Sequence, residues 1–277
     1  MEFDFVIVGG GSAGSTMAAR LSEDPNVTVC LLEAGGGGTS ILLRAPVGAV
    51  LALPGYGKLF NWAFKTVPQP GLNGRRGYQP RGRALGGSSA INAMLYVRGH
   101  KSDYEGWVAL GCDGWGWEDC LPYFKKSENN ECRLDNFHGN NGPLHVSNQQ
   151  SPRPITHAFI TAAAANQHCL RTDFNDGDNE GVGMYQVTQF HGDNKNGERC
   201  SAAAAYLYPV MDRPNLTVIT KARATKILFE GKHAVGVAYR QDKTSKTVSA
   251  NKEIILAMGA LQSPQLLQLS GVGRADE

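Results

Sequence analysis

Three glycines near the start of the chain have the spacing of a dinucleotide-binding loop. Gly9, Gly11 and Gly14 form the pattern G-x-G-x-x-G, and the acidic residue Glu33 follows further along. Such glycines permit a tight turn, close approach of a pyrophosphate and close packing of a helix on a strand. Glu33 is placed to accept hydrogen bonds from ribose hydroxyl groups, and its charge would repel the 2′-phosphate of NADP. The glycines alone do not decide between NAD and FAD.

The residues around these glycines predict the elements that must position them. Residues 5–8 are an uninterrupted apolar run, as expected of a strand covered on both faces. A helix is predicted from Ala13 to Leu21, and a second strand from Val27 to Leu32. The start of that helix directs unpaired N–H groups and the positive end of the helix dipole at a phosphate. Together, these elements predict a bound dinucleotide.

The composition excludes several classes of function. The chain has 277 residues, a net charge of +2 and a hydrophobic fraction of 42%, so nothing indicates a nucleic-acid partner. We find no apolar stretch long enough to span a bilayer and no basic leader at the N-terminus. The six cysteines match no zinc spacing, which favours free thiols over a disulfide or metal framework. We therefore expect a cytoplasmic protein, with peripheral membrane association left open.

A second glycine-rich block spans residues 75–99. Paired glycines followed by small hydroxyl residues allow the backbone to run against a flat ring and to donate hydrogen bonds to its polar atoms. Asn92 adds a side-chain donor and acceptor at the same place. The alternative is structural, a loop leading into a buried helix from Ser89 to Tyr96. Trp62, upstream, is open to two interpretations, a core anchor or a contact on the flavin side.

The middle of the chain carries no cofactor motif. We predict a loop over residues 127–152, a helix from Pro154 to His168, a strand from Met184 to Gln189 and a helix from Arg199 to Leu207. His138 and His145 fit hydrogen-bonded loop and strand positions better than catalytic ones.

The C-terminal part returns to strands. Residues 216–219, 224–229, 234–239 and 246–249 predict a β-meander. Residues 253–259 then predict a buried, parallel-type strand that ends on glycine.

Two long blocks carry a resemblance to a known family. Residues 82–105 and Gly259 to Gly273 resemble, in order, the two signatures of the glucose-methanol-choline (GMC) oxidoreductases. The resemblance implies an α/β protein, with an FAD-binding dinucleotide fold (three-layer ββα), a β-meander and part of an α+β substrate domain. It implies an FAD-binding domain over residues 1–150 and 200–277, and a partial substrate domain over 151–199. The cofactor contacts it implies are Gly9, Gly11, Ser12, Ala13, Gly14, Glu33, Ala34, Trp62, Arg83, Leu85, Gly87, Ser88, Asn92, Ala93, Met94, Leu95, Ala224, Ala257 and Gly259.

The same resemblance implies oxidation of an alcohol to an aldehyde by hydride transfer to flavin N5, with a quinone or oxygen as electron acceptor. The family's catalytic histidine, with its histidine or asparagine partner, lies beyond the second signature. No position here matches it, so the catalytic residues are unknown. We expect an incomplete form that lacks the C-terminal half or assembles as a homo-oligomer. Family members that bind FAD covalently do so through a histidine in the first signature. Ile91 and Ala90 stand there, so FAD is expected to be non-covalent.

Two alternatives accompany this expectation. The chain could hold FAD without turnover, either as an inactive fragment or as one half of a split enzyme. It could also be an NAD-dependent enzyme with the same glycine loop, but residues 82–92 and 259–273 would then have no explanation.

Overall fold

The apolar run at residues 5–8 lies within the first strand of the protein. The computed structural model describes residues 1–54, 58–192 and 194–274. The strands are β1 (Glu2–Val8), β2 (Val29–Leu32), β3 (Phe64–Lys65), β4 (Tyr78–Gln79), β5 (Leu95–Tyr96), β6 (Glu128–Asn130), β7 (Leu144–Val146), β8 (Gln186–Val187), β9 (Leu216–Ile219), β10 (Arg223–Glu230), β11 (His233–Gln241) and β12 (Thr244–Leu256). The α-helices are α1 (Ser12–Leu21), α2 (Ile41–Arg44), α3 (Ala49–Ala52), α4 (Lys101–Ala109), α5 (Trp117–Ser127), α6 (Pro154–Ala165) and α7 (Gly259–Leu269).

Two units make up the chain. The first combines Met1–Ala93 with Ser201–Glu277, and the second is Met94–Cys200. The sequence-based boundary was drawn differently, because it assigned residues 94–150 to the FAD-binding domain. The assignment of either unit to a functional domain stays a prediction.

The first unit is built on one mixed six-stranded sheet with the order β10-β11-β12-β1-β2-β9. The strand β1 pairs in parallel with both β2 and β12, and β9 extends the parallel part beyond β2. This confirms the predicted strand–helix–strand unit and the mixed α/β fold. The prediction for β9 was wrong in one respect. The strand Leu216–Ile219 was assigned to the meander, whereas it is a parallel strand whose Leu216 packs in the core beside Leu31.

The strand β12 joins the parallel part of the sheet to the meander. Residues 244–249 pair antiparallel with β11, and residues 249–256 pair in parallel with β1. The sequence predicted two strands here, at 246–249 and 253–259. The structure has one, because the polar residues between them stay extended and Ser249 pairs with both Gly236 and Glu2.

Alternate residues of the central strands fill opposite faces of this sheet. Ile7 and Leu31 lie on one face with Ala18 of α1 and Leu207, which ends a π-helical turn (Ala203–Leu207). Val6, Val8, Cys30 and Leu32 lie on the other face with Leu266 of α7 and Val237 of β11. This alternation is the period-two pattern of a sheet buried on both sides. The parallel pairing of β1 with β2 and with the C-terminal part of β12 places the carboxyl ends of these strands at one edge.

The second unit contains α4, α5, α6 and two small two-stranded sheets, β5–β8 and β6–β7. Its aromatic side chains pack together, with Tyr104 in contact with Trp107, Trp117 and Phe124.

Three predicted elements of the chain are shorter in the structure. The predicted helix at 154–168 ends at Ala165, the predicted strand at 184–189 is limited to β8, and the predicted helix at 199–207 is reduced to its C-terminal part.

A buried ion network, consisting of Arg98, Glu128, His138 and Asp173, lies inside the second unit. Arg98 Nη2 is 2.9 Å from Glu128 Oε2, and the two ring nitrogens of His138 lie 2.9 Å from Glu128 Oε1 and Asp173 Oδ2. Burial alone would lower the pKa of His138, but these two carboxylates raise it to about 9. His138 is thus hydrogen-bonded on both nitrogens.

In residues 1–54, 58–192 and 194–274 there is no helix with the length and apolar character to cross a bilayer.

Candidate cofactor-binding site

A cleft of about 550 Å³ opens in the first unit at the carboxyl ends of β1, β2 and β12. Ligands of open, mostly parallel sheets bind at this edge of the strands. Twelve of the predicted cofactor residues line the cleft: Gly9, Gly11, Ser12, Ala13, Glu33, Ala34, Trp62, Gly87, Ser88, Ala224, Ala257 and Gly259. The structure thus brings together residues from both glycine-rich blocks and from the last strand.

Each glycine of the first loop is required for a different reason. A Cβ on Gly14 would lie 1.9 Å from the carbonyl oxygen of Gly9, so α1 can approach β1 only without a side chain there. Gly9 has a φ of 102°, and a Cβ there would lie 2.7 Å from Ala257 O. The nearest atom to a Cβ on Gly11 is 3.8 Å away, and Gly11 lines the cleft. Because Gly11 has no side chain, the space beside its backbone stays open. A bound pyrophosphate requires this close approach to the backbone.

Two helices begin at this cleft. Neither α1 nor α7 has a side-chain cap or an acidic residue in its first turn. Ser12 and Ala13 of α1 and Gly259 and Ala260 of α7 line the cleft. The first N–H groups of a helix lack partners within the helix and carry partial positive charge, so this arrangement suits an anion.

Glu33 places a buried carboxylate in the wall of the cleft. Its Oε2 accepts a hydrogen bond from Gly10 N at 2.9 Å, and its Oε1 accepts one from Gly35 N at 2.7 Å. Burial raises the pKa of Glu33, while these two hydrogen bonds and the charge of Arg83 oppose the rise. Each oxygen retains a further lone pair, so the carboxylate can also accept hydrogen bonds from hydroxyl groups of a ligand.

Trp62 lines the cleft and contacts three side chains. The guanidinium groups of Arg83 and Arg223 lie 4.8 and 5.7 Å from the centre of its ring, and Phe64 stacks beside it at 5.8 Å. These contacts fix the indole at the wall. Its role as a cofactor contact stays a prediction.

The second glycine-rich block meets the first loop directly. A Cβ on Gly87 would lie 2.7 Å from Gly11 Cα, so the two loops touch through glycine. The alternative helix from Ser89 to Tyr96 is wrong. The block forms a short 3₁₀ turn (Gly87–Ala90), Met94 has a φ of 64°, and residues 95–96 form β5.

Seven predicted residues do not line the cleft. Gly14 packs beneath the loop, Leu85 is buried against Gly10, and Arg83 covers Trp62. Asn92 and Ala93 are exposed in the first unit, whereas Met94 and Leu95 belong to the second.

The cleft also contains residues that the prediction missed. These are Val8, Leu32, Arg81, Gly82, Ala222, Arg223, Leu256, Met258, Ala260, Gln262, Ser263, Gln265, Leu266 and Leu269. Gly82 and the residues of α7 lie within the two signature blocks, so the blocks carried a signal for them. Arg81 lies in the second glycine-rich block, directly before the signature, whereas Arg223 lies in no motif. Among the described residues that line the cleft there is no histidine.

The sheet, the glycine loops and the buried carboxylate define a dinucleotide-binding protein of the flavoprotein type. A family profile described as GMC oxidoreductase matches residues 3–277, and the chain belongs to this family.

Curated relatives and solved structures agree with this family. The chain is 48% identical to an alcohol dehydrogenase (acceptor) from Pseudomonas putida, over 99% of this chain and 49% of the relative. It is 45% identical to an oxygen-dependent choline dehydrogenase from Pseudomonas fluorescens, over 98% of this chain and 48% of the relative. The chain therefore spans about half the length of the curated relatives it matches.

The fold matches the crystal structure of pyridoxine 4-oxidase from Mesorbium loti, with a TM-score of 0.92 and 38% identity, over 99% of this chain and 53% of that one. It also matches an FAD-dependent oxidoreductase from Chaetomium thermophilum, with a TM-score of 0.88 and 35% identity, over 99% of this chain and 48% of that one. The family and these structures support FAD as the cofactor of this chain.

Proposed function

We propose that this chain binds FAD without a covalent bond in the cleft of the first unit. The observation that carries the proposal is the buried Glu33 carboxylate beside a glycine-lined helix start in one open cleft. Glu33 accepts hydrogen bonds from ribose hydroxyl groups, and the N–H groups at the start of α1 hold the pyrophosphate. Ile91 and Ala90 offer no group for a covalent bond to flavin.

The remaining predicted contacts follow from this arrangement. Ala34 and Ala224 line the cleft with Glu33 and are proposed to contact the adenosine, while Gly87 and Ser88 continue the cleft from Gly11. The proposed cofactor contacts are those predicted from the sequence, with Gly14, Leu85 and Arg83 acting by supporting the wall. Asn92 and Ala93 are proposed to contact the flavin ring, and the contacts predicted at Met94 and Leu95 stay predictions.

The proposed activity is oxidation of the CH–OH group of an alcohol. The names of the relatives, alcohol dehydrogenase and choline dehydrogenase, support this class of reaction. FAD supplies the acceptor for the hydride that leaves the alcohol carbon. The alcohol oxygen must also lose its proton to a general base. We assign no residue of this chain to that role, since the described lining of the cleft has no histidine. The substrate is proposed as a small alcohol and the acceptor as a quinone or oxygen.

The absence of histidine from this lining favours a second candidate, an FAD-binding chain that needs residues from elsewhere for turnover. Two measurements separate the candidates. Titration of the 277-residue chain with FAD tests binding through flavin fluorescence, and filtration after denaturation tests for a covalent bond. Saturable binding with all flavin in the filtrate supports the proposal, and failure to bind FAD contradicts it. Choline and primary alcohols are then assayed with an artificial electron acceptor, and turnover by this chain alone would exclude the second candidate.

A further inference from the structure

A second concavity in the first unit has a strongly cationic lining. We call it the basic groove and define it by its six cationic side chains, Lys58, Arg83, Lys221, Arg223, Arg240 and Lys243. Its volume is about 670 Å³, and Asp242 is the one carboxylate among its described lining residues. The whole chain has a net charge of only +2, so positive charge is concentrated here rather than spread over the surface.

Within the described part of the chain these cations lack ion-pair partners, although Arg83 acts on the buried Glu33 carboxylate through its charge. Among residues 1–54, 58–192 and 194–274, no carboxylate forms an ion pair with any of the six. Cations that line a concave, low-dielectric wall focus a positive potential and raise the local concentration of anions. A bound polyanion would relieve the mutual repulsion of the six side chains.

The backbone holds three of the lysines in an unusual conformation. Lys58, Lys221 and Lys243 have φ values of 53°, 55° and 67°. Asp242 and Lys243 form the two-residue turn between β11 and β12, where both φ values are positive and Asn-Gly is the preferred sequence. A left-handed conformation strains the backbone of a residue that has a side chain. Glycine would relieve the strain at these three positions, but the chain has lysine there. We infer that the positive charge of these lysines serves a purpose.

We propose that the basic groove binds a compound with two or more linked phosphates. The groove is concave and of the size that takes a small molecule rather than an extended surface. Arginine offers phosphate a planar pair of donors and lysine a point charge, and the groove contains both. The exposed side chains of Leu59 and Leu269 provide an apolar surface for an attached base. Inorganic polyphosphate and nucleoside polyphosphates share this chemistry.

The groove is distinct from the proposed FAD pyrophosphate position but adjoins the same cleft. Ala34, Arg223 and Ala224 line both concavities, whereas Gly9 and Gly11 line only the cleft. A ligand in the groove would therefore contact the wall that holds the adenosine end of FAD. We expect its binding to change the affinity for FAD without displacing FAD.

The test compares two lysines at equivalent places in two hairpins. Lys243 is the second residue of the β11–β12 turn and lines the groove, while Lys232 is the second residue of the β10–β11 turn and does not. Binding of tripolyphosphate and ATP to the FAD-loaded chain is measured by calorimetry at low and high salt. Lys243→Glu is expected to weaken binding about fivefold or more and Lys232→Glu less than about twofold, with weaker binding at high salt.

Several outcomes would overturn the proposal. They are no binding of either compound, equal loss of affinity in the two variants, or release of flavin in proportion to the phosphate compound bound. Similar affinities for ATP and tripolyphosphate would support recognition of the phosphates alone, and tighter binding of ATP would support a contribution from the base. Flavin fluorescence is recorded in the same titration. Failure of the chain to bind FAD is thereby distinguished from failure of the groove, which is then titrated in the FAD-free chain.

Discussion

The FAD cleft of the first unit and the buried ion network of the second each contain a buried glutamate, but the two glutamates have opposite surroundings. Glu33 accepts hydrogen bonds from two backbone N–H groups and borders a cleft, and burial raises its pKa. Burial would also raise the pKa of Glu128, but hydrogen bonds from His138, Asn130 and Gly139 hold it below its usual value. A carboxylate surrounded by charged partners serves the fold, whereas one that borders a cleft keeps capacity for a ligand.

The largest expected effect is that of a side chain at Gly14. Gly14→Ala places a Cβ 1.9 Å from a backbone oxygen, so α1 must separate from β1. We expect the free energy of unfolding to fall by about 4 kcal/mol or more and FAD binding to be lost. Chemical denaturation measures the change. Gly106→Ala is the control, because Gly106 lies in α4 with open space around it, and alanine there should stabilise the helix by about 0.5–1 kcal/mol.

Removal of Glu128 should destabilise the protein without altering the cleft. Glu128→Ala removes the carboxylate that pairs with the buried Arg98 and His138 side chains. We expect the free energy of unfolding to fall by about 3–5 kcal/mol. Urea denaturation reports the loss, and flavin titration of the folded variant should give an unchanged dissociation constant. Glu118→Ala serves as the matched change, since the Glu118 side chain is 78% exposed and should contribute less than about 0.5 kcal/mol. Equal losses in the two variants would contradict the structural role of the network.

The ion network also predicts a dependence of stability on pH. Because His138 has a pKa of about 9 in the folded protein, its contribution is fully present below the unfolded pKa of about 6.5. It is lost as the pH rises through about 9, by an amount on the order of 2–3 kcal/mol. Denaturation curves between about pH 6 and pH 10 should show this slope. His138→Gln should reduce it to the part due to the buried thiols of Cys30 and Cys200, whose pKa burial raises to about 12. The same slope in His138→Gln would assign it to another group.

Glu33→Gln should act mainly on the ligand. The amide retains one oxygen acceptor, but its NH₂ group faces the N–H of Gly10 or Gly35, and ribose recognition weakens. We expect the FAD dissociation constant to rise about tenfold and stability to fall by about 1–2 kcal/mol. Glu230→Gln, at the exposed end of β10, is the control. An unchanged FAD affinity would remove Glu33 from the proposed site.

The smallest structural change is Gly11→Ala. The nearest atom to the added Cβ is 3.8 Å away and the φ of Gly11 is −75°, so the fold should lose less than about 1 kcal/mol. Because Gly11 lines the cleft, the methyl group occupies ligand space, and FAD should bind about tenfold more weakly or worse. Flavin fluorescence titration gives the constant. Full affinity in Gly11→Ala would show that the pyrophosphate does not approach this position.

The sequence predicted individual strands and helices better than the boundaries and neighbours of the strands in the sheet. The run at residues 5–8, the glycine spacing and the position of Glu33 sufficed for the first strand, helix and strand, because each element has its own periodicity. The single long strand β12 was divided into two, since a strand that changes partners contains polar residues in its middle. The strand β9 was assigned to the wrong part of the sheet, because alternation reveals a strand but not its neighbour.

The candidate site shows the same limit. Motif residues such as Gly11 and Ser88, predicted as cofactor contacts, line the cleft. Arg81 stands in the second glycine-rich block but had no predicted role, and Arg223 could not be foreseen, because an isolated arginine has no spacing that marks its neighbours in space. The distance of Gly14 from the cleft also depends on packing, as glycine serves both for ligand approach and for helix approach.

The double pairing of β12 has a consequence for the order in which the protein is made. The strand β1 leaves the ribosome well before β12, yet the pairing between these two strands is complete only at Leu256. Contacts between such distant segments form slowly, because a long loop must be closed. The hairpins β10–β11 and β11–β12 are local and can form early. During synthesis, the flank of β1 that pairs with β12 therefore stays open until β12 is made.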